Sequence, residues 1–207
     1  MEIIELIKIV DRYYPPNVNL ASAELRSHAL FINLAKVCTQ ANANQEQWKL
    51  LLTNIKNNFN IEVSEFILLP EVNPSFIAVF QTGEYLKDNG NSYQPMQLIL
   101  KISVIAPVYS LYFDNLVAES NKRLIKSNPT TEKETLLFNY IRELMKQFDT
   151  DYEQLDMSML YYQLPHLEDI SKKNKRKPYL DECIFGIYLS IHPHNIHEDK
   201  YERVILK

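Results

Sequence analysis

The sequence predicts an α+β fold: N-terminal helices, then an antiparallel sheet of three to five strands, then at least one further helix packed on it. Three observations carry this expectation. Before residue 60 the apolar residues recur at helical spacing, and from Ile61 onward they recur at period two. The period-two segments follow one another through turn-prone connections, and sequential strands usually pair, so an antiparallel meander is the natural topology. Helical spacing then returns between Thr131 and Phe148.

Taken in order, Ile3, Leu6, Ile7, Val10 and Tyr14 share one face of a helix that Pro15 and Pro16 should stop. Ser22 suits the N-cap of a second helix over residues 23–40, with Glu24 in its first turn. Leu25, Phe31, Leu34 and Cys38 place apolar groups nearly all round that helix, so it should be buried on most sides. Asn44 and Gln47 resemble a capping box, opening a third helix whose Trp48, Leu51, Leu52, Ile55 and Phe59 form one clean stripe.

Ile61 to Leu69 and Ser75 to Thr82 read as strands joined through Pro70 and Pro74. A loop from Gly83 to Gln94 leads into Pro95–Asp114, the stretch around which the chain is organised. Leu98, Leu100, Ile102 and Val104 alternate there with Gln97, Ile99, Lys101 and Ser103. One face is apolar and the other mixed, the pattern of a long strand covered on one side. Pro107 cannot donate to a ladder and should break or bulge it, with Val108 to Phe113 resuming in β-favouring types. Residues 116–126 are ambiguous by period. Thr131 with Glu134 forms a capping box ahead of Leu137, Tyr140, Ile141, Leu144 and Phe148, a helical face. The whole reads as a single domain, 1–207, with a sub-boundary in the acidic stretch 149–157. Beyond it lie the apolar run Leu160–Leu164, a basic loop, and Tyr179–Ser190, whose period admits helix or strand.

Composition excludes more than it assigns. With 207 residues, 46% hydrophobic and 23% charged, the chain is the size and polarity of a soluble globular domain. No apolar run approaches the ~18 residues of a membrane span. Glu2 and Glu5 do not suit a signal peptide, so a cytoplasmic location without a membrane partner is expected. The three glycines, Gly83, Gly90 and Gly186, cannot write a dinucleotide fingerprint or a phosphate-binding P-loop. The glycine-flanked nucleophile elbow of hydrolases is absent too.

Four groups of residues bear on function. Cys38 and Cys183 have apolar neighbours and read as buried thiols; pairing Cys183 with Asp181 as nucleophile and base runs against the raised thiol pKa such surroundings give. Glu62, Glu65 and Glu71 could pair across strands as acid and base, although carboxylates are commonplace on strand faces and turns. His28 reads as a core or boundary histidine, and Asp11–Arg12 as surface charge. The basic run from Lys172 to Lys177 would attract a polyanion, but the chain as a whole carries net −4 and no aromatic stacking platform interleaves the run, so no nucleic-acid partner is expected.

Two features remain. His192, His194, His197 and Glu198 offer zinc-type ligands, without the spacing of the helical His-Glu-x-x-His signature. They define the alternative reading, a metal-dependent hydrolase using zinc. The thirteen tyrosines against one tryptophan define the favoured one. Tyrosine is enriched at protein interfaces, and Tyr109, Tyr112, Tyr161, Tyr162 and Tyr179 are the candidates for a partner surface. The expectation is a non-enzymatic protein-binding module without a cofactor, of the kind exemplified by immunity or antitoxin proteins that neutralise a toxin.

Overall fold

The structure is a computed structural model, and it describes residues 1–19, 22–66, 73–82, 87–88, 91–92, 97–117, 122–148, 151–168 and 176–186. Its centre is an antiparallel sheet in the order β1 (Val63–Phe66), β2 (Ser75–Gln81), β5 (Gln97–Ser103), β6 (Val108–Val117), β7 (Lys122–Lys126). A two-residue ribbon, β3 (Lys87–Asp88) with β4 (Asn91–Ser92), lies between β2 and β5 in sequence. β8 (Glu153–Gln154) joins the start of β6 in parallel. Helices α1 (Ile3–Val10), α2 (Ala23–Ser27), α3 (Ala29–Ala43) and α4 (Glu46–Phe59) precede the sheet, and α5 (Glu132–Phe148), α6 (Met157–Leu160) and α7 (Leu180–Ile184) follow it. The predicted α+β class and element order are therefore those observed.

Both faces of the sheet are covered. On one, Leu98, Leu100, Ile102, Phe80, Leu111 and Phe113 pack against the stripes of α4 and α5, including Trp48, Ile55, Leu137 and Ile141. On the other, Ile77, Val79, Ile99, Val108 and Tyr112 pack against α1, α3, α6 and α7. This corrects the half-covered reading: Ile99, Lys101 and Ser103, the mixed side of β5, are as buried as its apolar side. Alternation reports which residues share a face, and it is silent on a face whose cover tolerates polar groups.

Within Pro95–Asp114 the described residues 97–114 form not one strand but a hairpin, with Lys101 opposite Ser110 and Ile99 opposite Tyr112. Ser103 turns the chain: its hydroxyl accepts from the N–H groups of Ile105 (3.2 Å) and Ala106 (3.3 Å), and Pro107 follows with no donor to lose. Leu98, Leu100 and Ile102 lie under the helices as expected, whereas Val104 falls in the turn and is half-buried.

The helix ends show the same competition between pattern and local hydrogen bonding. The predicted helix 23–40 breaks at His28, whose extended ψ of 135° lets Nδ1 cap Leu30 N–H at 3.3 Å. Asn44 terminates α3, and Gln45, not Asn44, precedes α4 without any side-chain cap. The first helix stops at Val10, before the prolines, although Tyr14 N–H still reaches Val10 C=O at 3.0 Å. The box at α5 forms as read: Glu134 N–H donates to Thr131 Oγ1 (3.2 Å) and Thr131 N–H to Glu134 Oε2 (3.3 Å). Buried Lys126 adds a 2.7 Å bond to that carboxylate. Among the described residues no helix is long and apolar enough to cross a membrane.

Candidate functional site

The stretches 161–168 and 176–185 carry several of the residues that sequence reasoning singled out, and buried polar groups hold the second of them in place. A helix of five residues such as α7 leaves most of its end groups unpaired, and burial makes that costly. Here hydroxyl groups from β2, β5 and the stretch after α1 supply the missing donors. Tyr14 donates to Cys183 C=O (3.0 Å), Ser103 to Ile184 C=O (3.1 Å) and Ser75 to Phe185 C=O (2.6 Å). Gly186 follows with φ 100°, the left-handed region that glycine enters without a Cβ clash, so the chain can leave the helix there.

Beneath α7 the Nζ of Lys101 lies 3.2 Å from both carboxylate oxygens of Asp181, with both side chains at 0% exposure. The ammonium also sits 5.6 Å from the Tyr112 ring and 5.8 Å from the Phe185 ring. Removing one partner of such a pair strands a charge, whereas replacing both by apolar groups is near neutral. Asp181 is thus committed to Lys101 and is not a partner for Cys183. The Cys183 thiol is fully enclosed, and burial first, then the nearby Glu182 and Asp181 carboxylates, pushes its pKa well above the ordinary value. Burial pushes the Cys38 thiol up as well, to about 12. Both are the wrong direction for a nucleophile.

The start of α7 is fastened from outside. Arg176 grips Glu182 with two bonds, Nη1 to Oε2 at 2.9 Å and Nη2 to Oε1 at 2.7 Å, while Tyr179 N–H donates to Oε2 at 2.8 Å. The guanidinium lies 4.9 Å from the centre of the Tyr179 ring. The stretch before α7 pairs with the stretch after α6: Leu180 N–H bonds Tyr162 C=O and Leu164 N–H bonds Pro178 C=O, both at 2.9 Å.

This arrangement brings three of the five candidate tyrosines onto two joined segments. Tyr162 is 40% exposed, Tyr161 is half-buried against the core, and Tyr179 is largely covered. The other two lie elsewhere. Tyr112 is fully enclosed on the α7 face and Tyr109 is buried on the opposite face, because the pleat of β6 sends alternate side chains to opposite sides. Neither ring meets solvent in this fold, so both act as core residues.

Of the carboxylate candidates, Glu65 accepts the indole N–H of Trp48 at 3.1 Å and Glu62 is exposed; Glu71 lies outside the described residues. Asp11 is exposed and meets His166 Nε2 at 2.8 Å. His192, His194, His197 and Glu198 lie outside the described residues, as do 172–175 of the basic run. Among the described residues no three His, Cys, Asp or Glu side chains gather as a metal site would require. Sequence reasoning missed Lys101, Ser75 and Ser103 as a set. The signal available was a lysine on a strand whose neighbours are otherwise β-favouring.

No family model, no curated protein and no solved structure matches the chain.

Proposed function

We propose that this chain is a non-enzymatic cytoplasmic binding protein that acts through a protein partner, in the manner of an immunity or antitoxin-type protein covering a toxin's working surface. The observation that carries the reading is Tyr162, exposed on a backbone fixed by pairing to the 178–180 stretch and by the clamp beyond it. An aromatic ring with a polar tip, held on a rigid segment, contributes contact area with little entropy left to lose. The net charge of −4 favours a basic partner, whose approach it would steer.

The test compares wild-type chain with Tyr162→Ala, each immobilised and exposed to extract from the organism that encodes it. The expected result is a basic protein recovered with the wild type and reduced at least tenfold with the variant, both baits melting at the same temperature. That protein, expressed alone, should arrest growth, and co-expression of the wild-type chain should relieve the arrest. Equal recovery on both baits would remove Tyr162 from the contact. A captured protein without toxicity would remove the immunity reading.

A further inference from the structure

We draw no further inference here: the strongest candidate, the surface groove of about 250 Å³ between α4 and α5 lined by Leu50, Leu51, Leu144 and Phe148, carries none because nothing in the structure shows what covers it.

Discussion

The two faces of the central sheet are equally buried and built on different principles. The face under α4 and α5 is a run of aliphatic and aromatic side chains, with Phe113 and Phe138 stacked 5.8 Å apart and Trp48 stacked 5.4 Å from Phe76. The face under α7 holds Lys101, Asp181, Ser75 and Ser103 among its apolar residues, and the polar groups meet one another or the carbonyls of α7. The first face can exchange shapes of similar volume at modest cost. The second admits one register, since a shift of α7 by one residue would separate the charges and leave carbonyls without donors. Apolar matter decides how firmly a layer is held, and buried polarity decides where.

The largest effect that would break this comparison is Asp181→Ala. Leaving the Lys101 ammonium alone at 0% exposure should cost about 3–5 kcal/mol in denaturant unfolding. The double replacement Lys101→Met with Asp181→Leu should recover most of that loss, within about 1 kcal/mol of wild type. A double variant as unstable as the single one would mean that the pair contributes strength and not placement.

On the apolar face the corresponding experiment is Leu100→Ala. The side chain is fully enclosed, and its truncation should cost about 2–5 kcal/mol, cavity term included. A loss below about 0.5 kcal/mol in the same measurement would remove Leu100 from the core.

Alkali should weaken the α7 face more than the other, which among the described residues carries one such group, Tyr109, whose pKa burial also raises. Cys38, Cys183 and Tyr14 all belong to the α7 side, and burial raises the pKa of each. For Cys38 the folded value is about 12 against an ordinary 9.0. Below pH 9 both folded and unfolded chains keep the proton, and its contribution to stability is complete. Above it the unfolded chain ionises first, so stability declines progressively up to the folded value. Melts between pH 8 and about 11 should show that decline, with Cys38→Ala flattening it. A profile unaffected by the substitution would mean the thiol is less enclosed than its 1% exposure implies.

Much of the architecture was legible from periodicity alone. The stripe Trp48, Leu51, Leu52, Ile55 needs only the helical repeat to be recognised, and the Thr131–Glu134 box needs only a spacing. The candidate site was less so. Tyr112 and Tyr162 are the same residue type, and only the strand pleat and the pairing of 162 with 180 make one a core ring and the other a surface ring. The hairpin at 103–107 was half visible, because Pro107 announced an interruption while the reversal depends on where the Ser103 hydroxyl turns.

The sequence by itself determined the α+β class, the coarse order of N-terminal helices, antiparallel sheet and following helix, and the apolar side of β5, since these follow from interactions between residues a few positions apart. It also excluded phosphate-cradling glycine loops, because three glycines cannot supply them. Only the tertiary structure decided that the mixed side of β5 is buried and that Asp181 answers Lys101 eighty residues away. The same holds for the short α7, which borrows hydroxyls from α1's extension, β2 and β5. The physical reason is the range of the interaction. Burial of a charge depends on a partner supplied by a distant part of the chain, and no local period encodes where that partner will arrive.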